Sequence, residues 1–119
     1  MSNKKTKGIH HTAFLVSTER SVDFYKKMGF EETYRKDRNY DTVVLMAERG
    51  IQREIFIDPS HPASQTDKDY LGIRHFGLQV DNCEEMRKSF ECTPVMTDWK
   101  GIRFCFTKDP GGLTVEFHE

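Results

Sequence analysis

Residues 72–82 read GIRHFGLQVDN, and residues 8–17 read GIHHTAFLVS. A shift of 64 positions lays one on the other, Ile9 on Ile73, His11 on His75 and Val16 on Val80. Each copy alternates like a half-buried strand and then turns polar where a helix can begin. In the first copy Thr12, Phe14 and Val16 fall on one face, and His11, Ala13 and Leu15 on the other. The chain reads as a duplication that puts one histidine on an early strand of each half. A pseudo-symmetric site between the halves is the expectation.

Outward from each copy the same elements follow. Ser17 or Thr18 can cap a helix carrying Val22, Tyr25 and Met28 at helical spacing, and Gly29 ends it in a left-handed conformation. Three segments with strand character come next, Glu31–Lys36, Thr42–Glu48 and Gln52–Asp58, with turn chemistry at Asn39 and Arg49–Gly50. In the second half the strand is Ile73–Val80, and Asn82 with Glu85 three residues on makes a capping-box-like helix start. Met86 and Phe90 supply that helix's apolar side, and Pro94 closes it. Val95–Asp98, Ile102–Thr107 and Leu113–His118 complete the set, with turns at Lys100–Gly101 and at Asp109–Gly112, the latter a strong hairpin signal. Between the halves PSHPASQTDKDYL has no periodicity. The expected organisation is one domain over 1–119: a βαβββ module at about 8–58, a linker at 59–72 and a second module at about 73–119. The fold class is α+β, the paired modules forming a cupped mixed sheet with helices on the outside.

Composition narrows the function. A chain of 119 residues, 36% hydrophobic and 31% charged, has the makings of one core. A formal net charge of −1 offers no basic surplus for nucleic acid and no polybasic run for a membrane surface. No apolar run approaches a membrane span, and Met1–Lys7 is too short and polar for a signal peptide. Cys83, Cys92 and Cys105 are odd in number with no CxxC spacing, so a reducing compartment, the cytoplasm, is expected. Cys105 lies in an apolar alternating run and reads as a buried small hydrophobe.

Strand alternation decides which polar side chains can meet. Val115 and Phe117 share a face, leaving Thr114, Glu116 and His118 opposite; Ile55 and Ile57 share a face, leaving Gln52, Glu54, Phe56 and Asp58 opposite. If helices cover the apolar faces, His11, Glu54, His75 and Glu116 all lie on the uncovered ones. A single strand histidine is usually just part-solvated, but a histidine and a glutamate from each half suggest a first-row metal site. About two of roughly six coordination positions would stay open for neighbouring substrate oxygens. Such an ion polarises a carbonyl and stabilises an enediolate while a carboxylate shuttles the proton.

The chain resembles the vicinal oxygen chelate superfamily, and within it the glyoxalase I (lactoylglutathione lyase) branch, over almost its full length. The resemblance is carried by IHHTAFLV with SVDFYKKMGF, by REIFID, by GIRHFGLQVDN and by the closing DPGGLTVEFHE. It implies His11, Glu54, His75 and Glu116 as ligands of one divalent metal, with His11 rather than His10 at the ligand position. Ni²⁺, Zn²⁺ or Co²⁺ lead, with Mn²⁺ or Fe²⁺ as further choices. It also implies a homodimer that isomerises the hemithioacetal of a thiol and a 2-oxoaldehyde to a 2-hydroxyacyl thioester. Either Glu54 or Glu116 could be the base, with Glu116 favoured. Glutathione-using members carry an arginine and an asparagine where this chain has Leu15 and Asp58, a hydrophobe and an acid that would not clamp an anionic peptide. Arg103 is a candidate for binding a substrate anion if its parity turns it inward. Asp58, His118 and Lys100 project near the rim, His61 lies in the linker and Trp99 at a turn, all with solvated surface as their plain reading. Other readings on the same scaffold are an extradiol dioxygenase, an epimerase, a thiol transferase, or a protein that sequesters a drug without chemistry.

Overall fold

Apolar residues at every second position lay the chain out as two four-stranded mixed sheets, each with one helix. A computed structural model describes residues 5, 7, 9–61 and 73–119. The chain divides into two units, Met1–His61 and Pro62–Glu119. The division falls inside the expected linker, of which 62–72 lie outside the described residues.

The first unit runs β1 (Thr12–Val16), α1 (Arg20–Lys27), β2 (Glu31–Asp37), β3 (Thr42–Glu48) and β4 (Ile51–Ile57). Its strand order is β1-β4-β3-β2, with β1 parallel to β4 and the other pairs antiparallel. A parallel pair cannot be closed by a tight turn, so α1, β2 and β3 fill the crossover. The β3–β4 hairpin turns on Arg49 and Gly50 at φ 45° and 81°, the two positive values a tight primed turn needs. Gly29 follows α1 at φ 114°, the left-handed stop read from the sequence. Thr18 Oγ1 accepts from the Arg20 amide at the helix start, while Glu19, in the cap position, makes no side-chain cap bond.

The second unit repeats the scheme: β5 (Phe76–Gln79), α2 (Cys83–Arg87), β6 (Met96–Thr97), β7 (Arg103–Lys108) and β8 (Thr114–His118), in the order β5-β8-β7-β6. Asn82 caps α2, its side chain accepting from the Glu85 amide. The Asp109 carboxylate accepts from the amides of Gly111 and Leu113 and so ties the β7–β8 turn. Two strands of the second unit are shorter than expected by two residues or more. β5 starts at Phe76 rather than Ile73. β6 spans two residues, because Asp98 takes the amides of Lys100 and Ile102 and starts the turn early.

Each sheet buries one face under its helix, and the two cores differ. Val22, Tyr25, Phe30, Val44, Met46 and Ile55 are buried in the first unit together with Arg53, which is fully buried. The Arg53 guanidinium carbon lies 4.1, 4.2 and 4.8 Å from the ring centroids of Tyr25, Phe14 and Phe30. In the second unit Leu78, Cys83, Phe90, Cys105, Val115 and Phe117 are buried. The Cys83 thiol donates to the Phe117 carbonyl at 3.5 Å, and burial pushes it up to about 12. Burial also raises Cys92 and Cys105, so these thiols stay protonated. All three cysteines are unpaired.

Candidate metal centre

Opposite each buried face lies a face carrying one histidine and one glutamate. In the first unit the buried face holds Phe14, Val16, Arg53 and Ile55, so the parity of β1 and β4 turns His11, Ala13, Glu54 and Phe56 the other way. His11 Nε2 lies 2.5 Å from Glu54 Oε2. In the second unit Leu78, Cys105, Val115 and Phe117 take the buried face, turning His75, Gly77, Phe106 and Glu116 to the other. His75 Nε2 lies 2.8 Å from Glu116 Oε1. Both pairs are partly open to solvent. The neighbour across the parallel ladder is small in each case: Ala13 faces Glu54 and Gly77 faces Glu116.

What holds each ring differs. His10 Nδ1 sits 2.9 Å from His11 Nδ1, so the far nitrogen of His11 has a hydrogen-bond partner in the residue before it, just ahead of β1. The His75 ring stands edge-on to Phe106, with centroids 5.5 Å apart. Phe106 lies directly opposite Glu116 in the β7–β8 ladder.

These pairs can be tested against the demands of a metal. Cis ligands with bonds of about 2.1 Å place their donor atoms about 3 Å apart. The two pairs, at 2.5 and 2.8 Å, come within half an ångström of that spacing. The donors are imidazole nitrogen and carboxylate oxygen, as first-row divalent ions require. Among the described residues neither unit gathers three or more His, Cys, Asp or Glu side chains around one point. Each unit brings two donors of the right chemistry, and each pair fits one edge of a coordination sphere.

The other candidates have partners of their own. Arg103 shares the parity of buried Cys105 and Thr107, not that of Phe104 and Phe106. Its Nε lies 3.6 Å from the Glu119 carboxylate, which also accepts from the Cys83 amide. The alternation that puts Glu116 on the open face therefore turns Arg103 to the helix side, so the inward parity that its candidacy rested on is absent. Asp58 accepts from the hydroxyl and amide of Ser60, which hold its carboxyl below the usual range, and His61 sits 3.2 Å away. His118 lies 3.5 Å from Asp98. Lys100 sits over the exposed Trp99 ring at 4.8 Å. Leu15 is partnered with Phe56 in the ladder, one step from Ala13 and Glu54, so the wall beside the first pair is apolar. Phe106 was not singled out by the sequence; its place opposite the motif glutamate in the closing hairpin was the available signal.

Comparison with known proteins agrees with the geometry. The family model of the Glyoxalase/Bleomycin resistance protein/Dioxygenase superfamily matches residues 8–117. The uncharacterized protein YwkD of Bacillus subtilis is 35% identical, over 95% of this chain and 97% of its own. A glyoxalase family protein from Enterococcus faecalis has a crystal structure that superposes with a TM-score of 0.84 at 30% identity, covering 95% of this chain and 98% of that one. The fold extends to the fosfomycin resistance protein FosX from Listeria monocytogenes, solved with Mn(II) and sulfate. Its TM-score is 0.72 at 15% identity, over 95% of this chain and 92% of that one. With a duplicated βαβββ scheme, a histidine–glutamate pair in each copy and a family match spanning both, the chain belongs to the Glyoxalase/Bleomycin resistance protein/Dioxygenase superfamily.

Proposed function

We propose that the chain is a metal-dependent isomerase of the glyoxalase I type, converting the hemithioacetal of a thiol and a 2-oxoaldehyde to a 2-hydroxyacyl thioester. The observation that carries the reading is the repeated pair, His11 with Glu54 and His75 with Glu116, on the face of each sheet that its helix leaves open. These four side chains would hold one divalent ion, Ni²⁺, Zn²⁺ or Co²⁺ before Mn²⁺ or Fe²⁺, in a homodimer working in the cytoplasm. When bound, the ion draws negative charge onto two neighbouring substrate oxygens and lowers the barrier to loss of the adjoining carbon-bound proton.

The protein's own part is proton transfer and positioning. Glu116 takes the proton from the carbon that bears sulfur and hydroxyl and returns it to the former carbonyl carbon. The hydroxyl proton of the first carbon passes to the oxygen of the second, so the first becomes the thioester carbonyl, the second a carbinol with the new C–H bond, and no outside oxidant is needed. Glu116 is taken as the base because it stands at the glutamate of the closing motif DPGGLTVEFHE, the position that the family resemblance favours. Leu15 and Phe56 provide an apolar wall where a glutathione carboxylate would need a cation, which favours a thiol other than glutathione.

The test has two stages. Protein incubated with Ni²⁺, Zn²⁺, Co²⁺ or Mn²⁺ and then freed of excess ion is analysed for metal content; protein that stays metal-free ends the proposal. Metal-loaded protein is then given methylglyoxal with several thiols, and thioester formation is followed by ultraviolet absorbance. Glu116→Gln is expected to lower turnover at least a hundredfold while keeping most of the metal. Unchanged turnover would remove Glu116 from the reaction.

A further inference from the structure

Beside the His75–Glu116 pair the second unit holds a cavity of about 320 Å³, lined by Glu91, Thr93, Phe106, Thr107, Lys108 and Thr114. That volume falls within the range of small-molecule sites. We propose that it is a subsite for one arm of the substrate, an apolar group ending in a carboxylate. Its role in turnover rests on the function proposed above, whereas its capacity to bind such a group does not.

Three observations converge. First, the cavity adjoins the pair: Phe106 lines it, faces Glu116 across the ladder and meets the His75 ring edge-on at 5.5 Å. Lys108 and Thr114 are partnered one pleat further along the same two strands. Residues two apart on a strand are separated by about 7 Å, which sets the distance from the reacting oxygens to the end of the arm.

Second, the walls are fixed. Thr107 Oγ1 donates to the Glu91 carbonyl at 2.8 Å, and Thr93 Oγ1 accepts the Phe106 amide at 3.0 Å. The Thr93 and Phe106 backbones are also bonded at 2.9 Å. These bonds staple the 91–93 segment to β7, so the space is preformed and a ligand need not order it. The Phe106 ring and the threonine methyls form an apolar floor suited to an alkyl or aryl group.

Third, the polar groups at the edge select a charge. Thr93 has used its oxygen as an acceptor and keeps its proton to donate. Among the described residues no acidic side chain lies within ion-pair distance of Lys108, which is exposed at the cavity edge. An ammonium and a hydroxyl donor together suit an oxyanion. Glu91 contributes the opposing charge at the rim. A singly charged carboxylate close to Lys108 is therefore favoured over a dianion, which Glu91 would repel.

The experiment is an amide NMR titration of the full chain as purified, with phenylacetate and, as the uncharged control of the same shape, phenylacetamide. The expected result is shifts centred on Phe106, Lys108 and Thr114, with phenylacetate binding at least fivefold more tightly. In Lys108→Ala, an exposed position whose replacement leaves the core intact, that preference disappears while phenylacetamide binding is unchanged. Shifts centred elsewhere, equal affinity for the two probes, or a preference that survives Lys108→Ala would each overturn the subsite. The titration needs neither turnover nor bound metal, so failure of the isomerase reading leaves its outcome standing, and a metal-loaded active protein that fails this titration loses the subsite alone.

Discussion

Glu54 and Glu116 hold the same station in their two units, yet the residue before each is Arg53 in one and Val115 in the other. Both are fully buried on the helix side of the sheet. In the first unit three aromatic rings surround a guanidinium; in the second a valine packs with thiols and phenylalanines. The faces bearing the histidine and glutamate have kept one pattern while the faces behind them have not. Chemistry fixes the donor atoms to within fractions of an ångström, whereas a core asks only for volume and satisfied polar groups.

The most forceful way to break this comparison is at Arg53. Truncation to alanine would leave a hole between Phe14, Tyr25 and Phe30 and lose the contacts of the cation with their faces, at a cost of about 3 kcal/mol. Urea unfolding of Arg53→Ala and Arg53→Met would measure it, with methionine retaining part of the loss. A change in alanine below about 0.5 kcal/mol would mean that the cage is not structural.

Helix starts sharpen the contrast at a smaller scale. α2 is capped by the Asn82 side chain, and Asn82→Ala is expected to cost about 1 kcal/mol. At the start of α1, among the described residues, the side-chain bond is the 3.3 Å contact of Thr18 Oγ1 with the Arg20 amide, so Thr18→Ala should cost less. Equal losses in a thermal melt would contradict the assignment.

The smallest effect concerns the edge strands, seven residues in β2 against two in β6. On β2 Arg35 holds both Glu19 and Glu32, and with Lys26 it draws the Glu32 carboxyl down to about 2. A carboxylate whose folded value lies below its unfolded value of 4.5 stabilises the fold fully above that pH and loses the contribution as pH falls toward 2. Arg35→Gln should flatten melting temperature against pH in that window, its cost being complete at neutrality and vanishing near pH 2, and because the pair is exposed that cost is about a few tenths of a kcal/mol. An unchanged acid limb would remove Arg35 as the cause.

Much of this was legible in the chain. Alternation in 52–58 and 113–118 placed Glu54 and Glu116 on the open faces, Asn82 announced its cap, and Gly29 its stop. The same alternation also puts Arg53 in a core, but a charged side chain between apolar neighbours reads as surface until three rings from distant segments are seen around it. Arg103 was conditional on its parity. It shares its face with Cys105, read from the sequence as buried, and with Thr107, but the aromatic residues on the other face left open which side was covered. The gathering of Cys83 and Cys105 in one core comes from tertiary packing that no spacing encodes.

The residues that stand across from the two glutamates have one more implication. A Cβ added at Gly77 would meet nothing within 4 Å. Position 77 thus has room to spare beside the Glu116 carboxylate: alanine there would touch nothing, and only a longer side chain could reach into its swing. Alanine at 77 is therefore the neutral control against which any bulkier residue on that open face can be judged.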